Sequence, residues 1–122
     1  MNQVLNHDRA DLESRKALIT AQEIENQPKV WKKLAGVLES RKAELSAFMD
    51  KVLAIPGLRV IFTGAGSSAF VGESLQMMLG QEMGLRSETH HTTDIVATPD
   101  AIFADVPTLL VSYSRSGSSP ES

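Results

Sequence analysis

Two short segments in the second half of the chain concentrate glycine and serine: GAGSS at 64–68 and SRSGSSPES at 114–122. Glycine permits sharp turns that bring backbone N–H groups close to a ligand, and serine adds small hydroxyl donors. A helix that begins at the end of such a loop contributes unpaired N–H groups and about half a positive charge. These groups together predict a binding site for a dianion, most simply a phosphate.

Each of these segments follows an apolar run that is typical of a buried strand. We predict strands at 59–63 (RVIFT), 86–92 (RSETHHT) and 108–113 (TLLVSY). A helical stripe follows the first loop, and residues 93–105 form a short helix or turns broken at Pro99. Helices between strands favour a parallel sheet, and the strand order 2-1-3 places the first and third strands side by side. Both loops would then face one ligand from the same edge of the sheet.

The first half of the chain is dominated by helical patterns. TAQE at 20–23 matches a capping box, and Pro28 suits the first turn of a following helix. Apolar spacing predicts two amphipathic helices within 28–54, which IPG at 55–57 ends. The predicted organisation is a mobile arm with a short charged helix (1–19), a helical segment (20–55) and an α/β region (56–122).

Composition excludes several classes of protein. The net charge is −3, and only Arg59, Arg86 and Arg115 are basic after residue 51, so no basic stripe is available for nucleic acid. The apolar runs are too short to cross a membrane, and Asn6 to Lys16 is too polar for a signal peptide. The absence of cysteine excludes disulfides and thiolate metal sites. We therefore expect a cytoplasmic protein that binds neither nucleic acid nor membrane.

Other motifs for phosphate or for catalysis fit the first loop less well. GAGSSA at 64–69 satisfies the dinucleotide pattern G-x-G-x-x-A, with Glu82 or Glu88 as the later acid, and this Rossmann alternative stays open. A Walker loop is excluded because no lysine follows the glycines. A nucleophile elbow is excluded because Phe70 replaces its second glycine. The remaining alternative is that both loops are ordinary polar turns.

Four segments together resemble the sugar isomerase (SIS) family. They are TAQEIENQPKVWKKL (20–34), TGAGSSAF (63–70), TTDIVATP (92–99) and SRSGSSPES (114–122). Within the family, the chain is most similar to the tagatose-6-phosphate ketose/aldose isomerases, also described as galactosamine-6-phosphate deaminase/isomerases. The resemblance covers roughly residues 20–122. It implies a flavodoxin-like, three-layer αβα sandwich with a parallel sheet, a phosphosugar ligand, no metal or organic cofactor, and a homodimer in the full-length protein.

The resemblance also assigns the phosphate-binding residues. Those of the first loop are Gly66, Ser67 and Ser68, and those of the second are Ser114, Arg115, Ser116 and Ser119. Members of this group carry two SIS domains and are much longer. We therefore expect a truncated chain that lacks the expected catalytic base, with an incomplete sheet, an apolar strand at an exposed edge and no activity by itself.

The reaction implied by the resemblance is the conversion of galactosamine 6-phosphate to tagatose 6-phosphate, or a related isomerisation, and it needs a base at C2 of the opened sugar. The acidic and histidine candidates are Glu73, His90, His91, Asp94 and Glu121. Each also has a structural explanation: Glu73 as a solvent-facing residue, the histidines as polar strand ends, Asp94 as part of a helix cap, and Glu121 as a helix-dipole partner. The sequence therefore leaves the base unassigned. A non-catalytic phosphosugar-binding module is the alternative, although no helix-turn-helix pattern accompanies it.

Overall fold

The computed structural model describes residues 3–118. They divide into two compact units, one ending at Ala47 and the other beginning at Phe48. Ser119 and Glu121, and the helix predicted to begin at Pro120, lie outside the described residues. The predicted domain boundaries and the mobility of the arm stay predictions.

The first unit opens with a short antiparallel hairpin, β1 (Gln3–Val4) and β2 (His7–Asp8). Leu5 and Asn6 form its two-residue turn, and both have positive φ (51° and 65°), as a type I′ turn requires. The sequence did not indicate this hairpin, because leucine is an unusual residue for such a turn. Helix α1 (Arg9–Ser14) follows, and the Asp8 carboxylate caps it by accepting from the Ala10 N–H at 2.8 Å.

The long helices differ from the predicted ones at their boundaries. Helix α2 spans Leu18–Ser40 and α3 spans Lys42–Leu53, with Arg41 between them. Two helices were predicted within 28–54, and the structure has two helices there. The helix start predicted from the capping box at Thr20 is wrong. Helix α2 begins earlier, at Leu18, where Leu18 and Ala21 pack against Val4 and Leu12. Pro28 lies inside α2 rather than in its first turn. Tertiary packing therefore outweighs the local start signals.

The second unit contains a three-stranded parallel sheet with the order β4–β3–β5. Its elements in chain order are β3 (Arg59–Gly64), α4 (Ala69–Met83), β4 (Arg86–His91), α5 (Thr92–Ala97), α6 (Pro99–Ile102) and β5 (Thr108–Tyr113). The predicted 2-1-3 order and the break at Pro99 are confirmed. Among the described residues β4 and β5 are the edges of the sheet, and Leu110 on β5 is exposed.

Helix α4 covers one face of the sheet at very short range. A Cβ atom added to Gly72 would lie 2.4 Å from Phe62 Cβ and 2.9 Å from Thr89 Oγ1, so only glycine fits there. One turn further along α4, the Gln76 carbonyl accepts a hydrogen bond from the Ser87 hydroxyl of β4 at 2.7 Å. The position of α4 against β3 and β4 is thus set by the absence of one side chain.

The other face of the sheet carries a buried arginine at its amino end. The Arg59 side chain is 4% exposed and lies against three elements. Its Nε donates to Thr108 Oγ1 at 3.0 Å, a second nitrogen donates to the Ile102 carbonyl at 2.9 Å, and a third lies 3.8 Å from Glu88 Oε2. Helix α4 packs against β3 and β4 on one face, and α6 contacts Arg59 on the other. The predicted α/β fold with an incomplete parallel sheet is confirmed.

Replacing Gly72 by alanine is expected to destabilise the second unit by about 1–3 kcal/mol, because the added methyl group overpacks the contact with Phe62. The matched control is Gly80→Ala in the same helix, where the nearest atom to the new Cβ is the Leu85 carbonyl oxygen at 3.8 Å. There alanine should be neutral or add about 0.5–1 kcal/mol of stability. Urea unfolding compares the two variants, and equal midpoints would contradict the close-packing explanation.

Candidate functional site

The first Ser/Gly loop folds back onto the strand that it leaves. A Cβ atom on Gly64 would lie 2.8 Å from both Cβ and the carbonyl carbon of Ser68, so β3 can end in this way only with glycine. Gly66 has a φ of +53° and begins a 3-10 turn, Gly66–Ser68, that runs directly into α4. The Ser67 side chain is exposed and Ser68 is partly exposed. Both hydroxyls and the first N–H groups of α4 therefore lie at the carboxyl edge of the sheet.

The second loop follows β5 and is organised by its own hydroxyls. Ser114 Oγ accepts from the Gly117 N–H at 2.8 Å, and Gly117 has a φ of +69°. Ser116 Oγ lies 3.3 Å from the Ser118 backbone nitrogen, which donates to it, and 3.1 Å from the Ser118 hydroxyl. Arg115 is exposed. Because Ser114 and Ser116 accept from their own loop, their hydroxyl protons remain able to point at an anion.

The two loops begin level with each other on neighbouring strands. Gly64 pairs with Tyr113 of β5 on one side and with His91 of β4 on the other. Adjacent strands lie about 4.8 Å apart, so both loops start within reach of one small ligand. The side-by-side arrangement predicted for the first and third strands is confirmed. Phosphate binding by Gly66, Ser67, Ser68, Ser114, Arg115 and Ser116 stays a prediction, and Ser119 lies outside the described residues.

His91 and Glu73, which the sequence treats as separate structural residues, lie together beside the first loop. His91 Nε2 is 3.5 Å from Glu73 Oε1, and the His91 and Phe70 rings form a T-shaped pair with centroids 6.3 Å apart. Both side chains are partly exposed, at 36% for His91 and 47% for Glu73. The signal that could have found this pair is positional: Glu73 lies just after the loop, and His91 ends the neighbouring strand.

His90 and Glu88 form a second cluster on the opposite face of β4. His90 Nε2 lies 3.2 Å from Glu88 Oε2, and Arg86 Nε donates to Glu88 Oε1 at 2.8 Å. The hydrogen bond to His90 lowers the pKa of the Glu88 carboxyl, burial opposes this, and Arg86 and Arg59 lower it further. Glu88 is therefore held as a carboxylate that joins the buried arginine to the strand.

The last candidate, Asp94, does not cap a helix. It lies in the first turn of α5, whose N-cap position is His91, and no side chain caps that helix. The prediction of a cap at Asp94 is wrong because β4 ends at His91, one residue earlier than predicted, and the helix starts directly at Thr92, which places Asp94 inside its first turn.

Two further observations concern the described part of the chain. None of its helices is long and apolar enough to span a bilayer. Residues 3–118 also contain no group of three histidine or acidic side chains placed to hold a metal ion.

Comparison with known proteins confirms the predicted resemblance. The chain is 44% identical over 110 residues to a D-galactosamine-6-phosphate deaminase, AgaS, of Shewanella, a match that includes 87% of this chain and 28% of the relative. It is 38% identical over 104 residues to a D-galactosamine-6-phosphate deaminase, AgaS, of Escherichia coli, of which it covers 27%. The chain thus spans little more than a quarter of these curated relatives. No family model matches it.

Solved structures agree with the fold. A Clostridium novyi protein provisionally named tagatose-6-phosphate ketose/aldose isomerase superimposes with a TM-score of 0.91 at 42% identity, over 99% of this chain and 31% of that one. The tagatose-6-phosphate ketose/aldose isomerase of Escherichia coli gives a TM-score of 0.79 at 36% identity, over 84% of this chain and 28% of that one. The SIS-type architecture predicted from the sequence is confirmed for the part of the fold that the chain covers.

The lowered pKa of Glu88 makes part of the folding stability depend on pH. Since the folded pKa lies below the ordinary value of 4.5, the contribution is fully present above that value and disappears as the pH falls through the folded pKa. We expect the stability of the wild type to fall between about pH 5 and about pH 2 more steeply than that of Glu88→Gln, which has no charge to lose there.

Urea unfolding of both proteins over that pH range tests this expectation. Glu44→Gln, which removes the carboxylate from an exposed pair with Arg41, serves as the control and should leave the slope nearly unchanged. Parallel pH profiles for the wild type and Glu88→Gln would contradict the role given to the Glu88 carboxylate.

Proposed function

We propose that this SIS-type chain, similar to part of the D-galactosamine-6-phosphate deaminases, binds the phosphate of a hexosamine 6-phosphate between its two Ser/Gly loops. We propose further that the protein carrying it converts galactosamine 6-phosphate to tagatose 6-phosphate and ammonia. The observation that carries the proposal is the level arrangement of both loops on β3 and β5, the place where ligands of open α/β sheets bind.

The chemistry of the loops suits a phosphate that must be released after each turnover. The hydroxyls of Ser68 and Ser116, the N-terminus of α4 and the exposed Arg115 offer donors around one edge of the sheet. Hydrogen bonds to a charged acceptor contribute about 1.5–3 kcal/mol each, so a few of them hold a phosphate without an arginine clamp.

The reaction on the sugar end is a proton transfer followed by hydrolysis. A base removes the proton from C2 of the open-chain amino aldehyde, and the electron pair moves so that C1 and C2 become an amino-enol. Return of a proton to C1 gives a C2 imine and a C1 hydroxymethyl group. Water then hydrolyses the imine to the ketone and ammonia. The same proton shift without an amino group gives ketose/aldose isomerisation, and no oxidant or organic cofactor is needed.

The dinucleotide alternative receives less support. A Rossmann site needs an acid at the end of the second strand to hold a ribose hydroxyl, but β4 ends in His91. Glu88 lies in mid-strand and is engaged by Arg86, His90 and Arg59.

Removing one hydroxyl from each loop should weaken phosphosugar binding. We expect Ser68→Ala combined with Ser116→Ala to raise the Kd for galactosamine 6-phosphate by at least about tenfold, since at least one charge-assisted hydrogen bond is lost. Calorimetry on the complete gene product that carries residues 1–122 measures this change. Ser40→Ala, which removes a hydroxyl that donates to the Val37 carbonyl in α2, is the control and should not alter the Kd. An unchanged Kd in the double variant would place the phosphate elsewhere.

The proposed activity is tested by ammonia release from galactosamine 6-phosphate. We expect ammonia and tagatose 6-phosphate in equal amounts from the complete gene product, and neither product when the unphosphorylated amino sugar is offered. Tight binding of the phosphosugar without any product would favour the non-catalytic binding module. Absence of both binding and turnover would contradict the proposal as a whole.

A further inference from the structure

We infer that one side of α2 is a docking surface, and that a segment of the same polypeptide beyond residue 122 covers it in the complete gene product. This docking is independent of the proposed activity. The surface, called here the α2 apolar face, consists of six large apolar side chains that are between 43% and 63% exposed: Ile24, Val30, Trp31, Leu34, Val37 and Leu38.

The six side chains lie on one side of the helix. Ile24, Trp31 and Leu38 recur at intervals of seven residues, close to two full turns, and the other three fall between them on the same side. From Ile24 to Leu38 the face extends about 21 Å along the helix axis. A contiguous apolar surface of this kind on a water-exposed helix marks an interaction site rather than ordinary surface.

Helix α2 has tertiary support only near its start. In the described chain, Ala21 is the one buried residue of α2, and it packs with Val4 and Leu12. All residues from 22 to 40 are exposed. Because helices in proteins are stabilised mainly by the packing of an apolar face, this part of α2 needs a partner that buries the α2 apolar face.

The length of the related proteins indicates which partner that is. The chain covers 28% of the Shewanella deaminase and 31% of the Clostridium novyi protein, and the second match includes 99% of this chain and therefore α2. More than two thirds of each relative thus lies outside the matched part. A segment of the same polypeptide is held near α2 at a high effective concentration, whereas a second copy would leave the face on dilution.

The side chains of the face and of its border define the chemistry of the covering segment. An apolar segment is required, with space for the Trp31 ring. Lys33 borders the face, since it lies three residues after Val30 and four before Val37. Among residues 3–118 no carboxylate forms an ion pair with Lys33. A carboxylate opposite Lys33 would therefore fix the orientation of the segment more than its affinity.

Photocrosslinking of the complete gene product identifies what lies on the face. The photoreactive residue p-benzoylphenylalanine replaces Trp31 in one variant and, as the matched control, Lys29 on the opposite side of the same helix in another. We expect the variant at Trp31 to give a cross-linked product of unchanged mass, in which residue 31 is joined to a peptide from beyond residue 122. The variant at Lys29 should give little or none.

Each other result of the crosslinking counts against the docking. A product of twice the mass would show that a second copy covers the face. A cross-link to a peptide within residues 1–122, or equal yields from both positions, would also overturn the inference. If the variant at Trp31 fails to fold, the photoreactive residue is placed at Ile24 instead, and absence of any cross-link there would be equally decisive.

A pair of aspartate substitutions measures what the cover contributes to stability. In the complete gene product, Leu34→Asp should lower Tm by at least about 3 °C, because it places a charge in the buried contact. Lys29→Asp introduces the same residue on the opposite side of the helix and should change Tm by less than about 1 °C. Equal Tm values for the two variants would mean that the α2 apolar face stays in water, and the inference would be wrong.

Discussion

The contact between Gly72 and Phe62 is the constraint on which the arrangement of the second unit depends. With no side chain at Gly72, α4 lies so close to β3 and β4 that a Cβ atom would meet Phe62 at 2.4 Å. The helix can then start almost on the end of β3, where Gly64 allows the 3-10 turn to fold back over the strand. The same close approach sets Glu73, the next residue in the helix, beside the end of β4. A wider helix–sheet spacing would separate the loop, the carboxylate and His91 from one another.

Much of the sheet could be predicted because strand signals are local. The apolar runs at 59–63 and 108–113 are distinctive, and the helix between strands implies parallel pairing, so the strand order and the level start of both loops follow. The hairpin around Leu5 could not be predicted, because its turn uses a residue that rarely adopts positive φ. Nor could the start of α2, which depends on contacts with residues from the hairpin and α1.

Part of the candidate site could be predicted from the sequence and part could not, for the same reason. The two Ser/Gly loops could be predicted because glycine and serine determine the conformation and the hydrogen-bond donors of their own segment. The contact between Glu73 and His91 depends instead on how closely α4 approaches β4. The hydroxyls of Ser114 and Ser116 accept hydrogen bonds from N–H groups of their own loop, and these bonds stabilise the conformation of the second loop without a ligand. A phosphate would then meet donors that need little rearrangement, which favours binding because less conformational freedom is lost.

Arg59 bears on how the sheet assembles. Its guanidinium reaches Glu88 of β4, Thr108 of β5 and the Ile102 carbonyl, so its charge is satisfied only when all three elements are in place. A partly assembled sheet that buried Arg59 with one neighbour missing would leave a charge without its partners, at a cost of several kcal/mol. Intermediates with two strands are therefore disfavoured, and β3, β4 and β5 are expected to form and dissolve as one cooperative unit.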